Sequence, residues 1–364
     1  MRASSISARW GGRWIDSRSG GRPVWRPSAS PSGEKLTLLW HNHFATSAAK
    51  VRTAAWMAAQ NQTLRALCLG DFRTLSYAML TDSAMLDWLD AQTNTARSAN
   101  ENLAREFMEL FALGHGNGYT EGDVRSGARA LTGWVVNRGG APSMAAKRHD
   151  NGVKTLLGVT GNLDAAQFCD IVLAQPHSPT YVTGRLWSQL AGGDPSPAAS
   201  ARLTAAYGPN RDLHALTRAV LTDPEFVAAR PAMVNTPVEW LVGVARSLGV
   251  SLATEKTSAA TQSALRTLGQ RPFYPPDVGG WPHGQVWLTT ASTSVRFSTA
   301  SALAAGADLS TVEQAAPRDR LDAVGYLIGI GDWTDRSATA LTPLASNPHR
   351  LVAAAVNTPE YLTS

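Results

Sequence analysis

The residues best suited to proton transfer lie in SANENLAREFMELFALGHGNGYTEGDVRSGARALTGW, residues 98–134. On a helical wheel, Leu103, Phe107, Leu110 and Phe111 share one side, while Glu101, Asn102, Arg105 and Glu109 share the other. Glu101, Arg105 and Glu109 follow one another at four-residue spacing, the pattern of a solvated ion-pair ladder. Glu106 falls on the border, with its flank toward Leu103 and Leu110, where partial loss of water raises a carboxyl pKa and suits it to act as a general acid. The catalytic candidates here are Glu106, Arg105 and Glu109, with Arg129 or Arg125 of the next helix as a partner for Glu106. The structural alternative is a buried glutamate bonded to an arginine or a backbone amide.

His41 and His43 are two residues apart, a spacing that points both rings one way only on a strand. In EKLTLLWHNHFATS the apolar positions Leu36, Leu39, Trp40 and Phe44 follow helical spacing, which sets His43 on the apolar face and turns His41 elsewhere. His43 is therefore a candidate base or ligand, against the alternative of a hydrogen-bonded core histidine. His149, Asp150 and Lys154 surround Asn151-Gly152 and could hold an anion or a substrate, although the same residues make ordinary turn chemistry. Trp281, with Phe273, Tyr274 and Trp287, could form a wall on which a sugar stacks, or could pack inside the domain. The chain contains no phosphate-cradling glycine loop, no Gly-x-Ser-x-Gly elbow and no His-Glu-x-x-His helix.

The elements that must position these residues read as mainly α, a multi-helical array. Ser98 with Glu101, and Thr120 with Asp123, have the spacing of capping boxes, and Gly114 and Gly133 stand where the two helices should stop. Further helices are expected over 164–174, 179–190, 200–207, 212–221 and 237–248. Asn151-Gly152 marks the tip of a small hairpin over about 144–157. Residues 269–288, rich in proline, glycine and aromatics, read as an ordered loop, because prolines at 272, 275, 276 and 282 forbid a regular helix. LTRAVLTDPEFV and LVAAAVNTPEYL look like one helix-end device used twice.

Length and charge narrow the function classes. A chain of 364 residues with 44% hydrophobic residues can build a substantial core. Residues 1–33 read as a loose Arg/Ser/Pro-rich tail, and 34–364 as one helical domain. In that tail six arginines against Asp16 supply the whole net charge of +5, so no basic patch of the folded part points to nucleic acid. The opening residues lack the apolar run of a secretory signal, and no later stretch is long and apolar enough for a membrane span, so the chain reads as soluble. Cys68 and Cys169 lie in apolar, helix-like surroundings and read as buried free thiols rather than a disulfide pair.

Five blocks in order, LLWHNHFATS, NENLAREFMELFALG, YTEGDVRSGARALTGW, HDNGVKTLLG and GQRPFYPPDVGGWP, resemble the domain-of-unknown-function 1800 (DUF1800) family. The resemblance implies a bacterial, predominantly helical protein with no established activity or cofactor. It further implies export, with a periplasmic or extracellular address, and a neighbouring partner of the domain-of-unknown-function 1501 (DUF1501) family, which is similar to sulfatases and phosphatases. Three functions follow as expectations: an accessory or binding protein that works with that hydrolase-like partner, an enzyme acting on a glycan through Glu106, or a metalloenzyme that joins His43 to glutamates of packed helices.

Overall fold

The computed structural model describes residues 12–16, 23–27, 31–137, 139–228 and 233–363, and the fold is mainly α. It divides into two compact units, one of Leu36–Ala228 with Phe273–Trp281, the other of the described residues of Met1–Lys35, Ala229–Pro272 and Pro282–Ser364. No described helix is long and apolar enough to cross a membrane.

The first unit begins within α1 (Pro31–His43) and continues through α2 (Ala54–Leu67), α3 (Phe72–Leu80) and α4 (Ser83–Trp88). Next come α5 (Asn102–Glu106), a π-helical turn (Phe107–Ala112) and α6 (Glu121–Ala130). After two small hairpins follow α7 (Ala165–Leu173), α8 (His177–Ala191), α9 (Pro197–Tyr207), α10 (Leu213–Thr222) and α11 (Pro224–Ala228). Leu64, Phe72, Leu75, Phe107, Phe111 and Phe168 are fully buried at its centre, and burial of such side chains stabilises by about 1.5–3 kcal/mol each. The second unit holds α12 (Pro237–Ser247), α13 (Glu255–Thr267), α14 (Thr290–Ala304), α15 (Ser310–Glu313) and α16 (Arg320–Ile328), then α17 (Asp335–Leu341), α18 (Pro348–Ala355) and α19 (Pro359–Leu362). Within the stretch read as a loose tail, β1 (Gly12–Asp16) and β2 (Pro23–Pro27) pair antiparallel, a ladder the sequence announced by no alternation of apolar and polar residues.

Capping explains most helix starts. Thr120 and Asp123 form the expected box at α6, each side chain bonding the other's backbone N–H. Ser98 and Glu101 do not form one. The Ser98 amide donates to Thr95 Oγ1, and Asn100 Oδ1 accepts from the Asn102 amide, so a tighter local turn takes the bonds a box would need.

The strands also differ in place from the expected hairpin. β3 (Trp134–Val136) pairs with β4 (Pro142–Met144), and β5 (Lys154–Leu156) pairs with β6 (Val159–Gly161) around Leu157-Gly158. Leu157 and Gly158 both have positive φ, +48° and +85°. Asn151-Gly152 lies between the two hairpins instead, where Asp150 Oδ1 accepts from the Gly152 amide and closes the turn.

The twice-used phrase has a mechanical role in each unit. Glu225 of α11 accepts from Ser196 Oγ, the N-cap of α9, and Glu360 of α19 accepts from the amide and hydroxyl of Thr334, the N-cap of α17. In both copies the short last helix returns a carboxylate to the positive end of a helix two elements earlier. Burial opposes ionisation of Glu360, yet the bonds from Thr334 and Ser337 hold it down at about 2.

Candidate functional site

The helix that carries the candidate acid is not uniformly α. After Glu106 it widens, so that the Leu113 amide donates to the carbonyl of Met108, five residues back. Widening changes which carbonyls find a helical partner, and side chains from elsewhere in the unit bind this end of the helix. Tyr181 Oη donates to the Leu110 carbonyl at 2.7 Å, His43 Nε2 to the Phe111 carbonyl at 2.9 Å and Asn117 Nδ2 to the Leu113 carbonyl at 2.9 Å. Gly114 then turns the chain at φ +88°, where a Cβ would collide with Tyr181 and Asn117. The position therefore requires glycine on both conformational and steric grounds.

His43 is 3% exposed and ringed by Trp40, Phe44, Phe72 and Phe111. Burial first, then the charge of Arg185, lowers its pKa to about 3, with the Phe111 bond acting weakly the other way. It is a neutral imidazole whose Nε2–H is committed to a carbonyl, which makes it a positioning residue of the π-helical turn.

Arg105, Glu106 and Glu109 lie together, as the sequence implied. Arg105 is held by three carboxylates: Glu121 through two bonds of 2.8 and 2.7 Å, Glu101 at 3.0 Å and Glu109 at 3.5 Å. Those bonds, with Glu121 contributing most, raise its pKa further. Glu109 also meets His115 Nδ1 at 3.3 Å, and its charge acts on Tyr119, whose hydroxyl accepts from the Gly116 amide. Glu106 is half-buried and makes no hydrogen bond or ion pair among the described residues. Burial first, and the charge of Glu109 second, raise its pKa against the opposing influence of Arg105.

The other sequence candidates occupy different places. Arg129 does not reach Glu106. Its Nε and Nη2 bond the two oxygens of Asp150 at 2.6 and 3.3 Å, and Nη1 donates to the Val153 carbonyl. The Lys154 ammonium is 1% exposed and donates to the carbonyls of Asp150 and Gly152 and to Asn162 Oδ1, which uses all three of its protons. His149 Nδ1 donates to the Thr132 carbonyl at 2.9 Å. The four residues fasten the loop between the hairpins to the end of α6. Arg129 lowers the pKa of Asp150, while burial lowers that of Lys154.

Trp281 is 2% exposed, and its ring lies 5.5 Å from that of His41. Phe273, at φ +67°, sits 5.4 Å from His41 on another side. Asn42 Oδ1 accepts from the Trp281 amide at 2.6 Å, and Gly280, at φ +87°, comes so near Asn42 that no Cβ fits. His41 is thus buried too, contrary to the expectation that it would face away from apolar surroundings. The aromatic loop supplies a second apolar surface that helical periodicity does not register. Burial lowers the pKa of His41 to about 4.

Taken together, the geometry offers one carboxyl that burial raises above the ordinary glutamate value, beside a carboxylate held by arginine and histidine. The blocks that supply it, LLWHNHFATS with His43 and NENLAREFMELFALG with Glu106, fall within a match to the family described as "Protein of unknown function (DUF1800)", which covers residues 22–363. The chain belongs to the DUF1800 family. No curated protein and no solved structure matches it. In this DUF1800 protein, no group of three or more His, Cys, Asp or Glu residues among those described is arranged to hold a metal ion.

Sequence reasoning missed His115, Tyr119 and Tyr181 as members of this site. Their signal was the GHGNGYT turn itself, whose glycines bring polar side chains close to the helix end. It also missed Asp82, raised to about 6 by burial. Asp82 accepts from the Met85 amide and from Gln60, which gives it a capping role at α4.

Proposed function

We propose that this DUF1800 protein is an acid–base enzyme in which Glu106 protonates a leaving group. The observation that carries this reading is the half-buried Glu106 carboxyl, raised in pKa and without a bonding partner among the described residues, on a helix whose geometry long-range bonds hold in place. Structural carboxylates of this fold are engaged, as Asp150, Asp223 and Glu360 are. A fold that retains an unengaged, partly desolvated carboxyl does so at a cost to its own stability, which is the mark of a site selected for chemistry. Glu109 is the second carboxylate, oriented by Arg105 and His115. Glu101, Glu109 and Glu121 around a single arginine disfavour an anionic substrate, and the hydrogen-bonding side chains of His115, Asn117 and Tyr119 suit a neutral, hydroxyl-rich one such as a glycan. Hydrolysis of a panel of neutral aryl glycosides and of bacterial envelope polysaccharide tests the reading. Glu106→Gln should reduce turnover by about 10²-fold or more while the protein stays folded. Full activity of that variant would end the proposal.

A second reading, an accessory protein that holds a DUF1501 hydrolase-like partner at an exported address, draws support from Val286, Leu288, Phe297 and Tyr326, large apolar side chains exposed on the second unit. Co-expression tests it: a complex that elutes as one species at micromolar concentration supports the reading, and separate elution removes it.

A further inference from the structure

Three arginines of this chain show what the side edge of a guanidinium takes here. Arg73 places Nε and Nη2 on the two oxygens of Asp170 at 2.8 and 3.1 Å. Arg129 does the same with Asp150, and Arg202 with Asp223 at 2.8 and 3.0 Å. All three are at least partly open to water. Arg296, on α14 in the second unit, is 1% exposed, and its Nε and Nη2 have no hydrogen-bond partner among the described residues. Only Nη1 is engaged, with the Trp287 carbonyl at 2.9 Å and Ser292 Oγ at 3.2 Å, while the Trp240 ring lies 5.7 Å from the guanidinium carbon.

A guanidinium buried without a counter-charge is among the most costly arrangements a core can hold, because its desolvation is not offset. Among the described residues no carboxylate acts on Arg296, and burial lowers its pKa. The arrangement also keeps the guanidinium fixed: Nη1 is anchored at two points, Ser292 is itself bonded to the Trp287 carbonyl, and the indole of Trp240 lies against the group. Its Nε and Nη2 edge is thereby held in one orientation, closed off from bulk water. Trp287 belongs to a short turn, Gly284–Trp287, and the residues on either side of it, Val286 and Leu288, are exposed, so the anchoring carbonyl is within one turn of the surface.

We propose that the Nε and Nη2 edge of Arg296 is a binding site for an anion that presents two oxygens side by side, a carboxylate or a phosphate group. The ligand replaces, from outside the chain, what Asp170, Asp150 and Asp223 provide within it. The site is independent of Glu106 and survives whether or not Glu106 is catalytic.

Thermal unfolding of the full chain in a low-salt zwitterionic buffer tests it, with sodium acetate, sodium phosphate and sodium chloride added at matched ionic strength. The expected result is a saturable rise in Tm with acetate, phosphate or both, above the chloride curve. A response to acetate alone assigns a carboxylate, and one to phosphate alone assigns a phosphate group. Arg296→Lys keeps the charge but removes the fork, and should weaken the apparent affinity by about tenfold or more. Should that variant fail to fold, calorimetric titration of the parent protein with acetate and with phosphate decides, a saturable heat with either supporting the site. Acetate and phosphate curves that both coincide with chloride, an Arg296→Lys response equal to the parent's, or titrations without saturable heat would each overturn the proposal.

Discussion

Asp150 and Glu106 are carboxylates of the same unit, and the fold treats them in opposite ways. Asp150 closes a turn by accepting from the Gly152 amide and binds both nitrogens of the Arg129 side edge, and those bonds hold its pKa below the ordinary range. Glu106 shares water with a half-apolar flank, accepts no bond, and is raised. The Asp150 region is saturated: Arg129 and Lys154 spend donors on one loop, His149 donates to the Thr132 carbonyl, and the Thr132 hydroxyl accepts from the Asp150 amide. Around the π-helical turn, His43, Tyr181 and Asn117 all bind backbone carbonyls, and the carboxyl of Glu106, the residue just before the turn, is left over. The difference separates groups that fasten the fold from a group that the fold presents. Residue type alone does not make that distinction, since aspartate and glutamate differ by one methylene.

The largest expected effect concerns the two buried histidines, His43 behind the π-helical turn and His41 under the aromatic loop. His41 and His43 have values near 4 and 3 against 6.5 for a solvated imidazole. The unfolded chain therefore takes up a proton at each below pH 6.5 while the folded chain does not, and stability falls as pH drops from 6.5 toward 4. Each contributes a loss of about 3 kcal/mol by pH 4. Urea unfolding of the parent protein and of His41→Phe at a series of pH values checks this, the variant showing the shallower decline.

Asp150→Ala attacks the fastening region and should cost about 2 kcal/mol, since it frees the Arg129 side edge, partly open to water, and the Gly152 amide. The contribution of Asp150 should persist in the parent down to about pH 4 and disappear as pH falls through its lowered value. Thr120→Ala removes one half of the capping box at α6 and should cost about 1 kcal/mol by chemical denaturation.

Much of the helical frame is legible in the sequence. Periodicity and caps locate α7 to α10 to within a few residues, because those helices bury one face each, and α12, buried on nearly all sides, is found from its Thr236 capping box and its length. The hairpin was misplaced because Asn151-Gly152 is strong turn chemistry in any context, whereas the true tip uses Leu157 at positive φ, a position no leucine advertises. The π-helical turn has no signature of its own: six residues are too few to show a change of period, and what holds it comes from His43 and Tyr181, 68 and 71 residues away. The wheel did place Glu106 on the border and Glu101 and Glu109 on the ladder. It could not assign Arg129 to Asp150, because that pair depends on where the loop returns. Arg296, in the polar-looking stretch TSVRFSTAS, gave no hint of burial at all.

The smallest expected stability change is the most direct test of the account. Glu106→Gln keeps the side-chain shape and removes the charge, and the unfolding free energy of the variant against the parent at pH 7 needs no knowledge of the substrate. A carboxylate raised in the folded state weakens the fold wherever it is ionised, so Glu106→Gln should be unchanged within about 0.5 kcal/mol or more stable at pH 7. Any gain should fade as pH falls and the parent carboxyl takes up its proton. A loss above about 2 kcal/mol would show that Glu106 fastens the fold as Asp150 does, and would contradict its assignment as the acid.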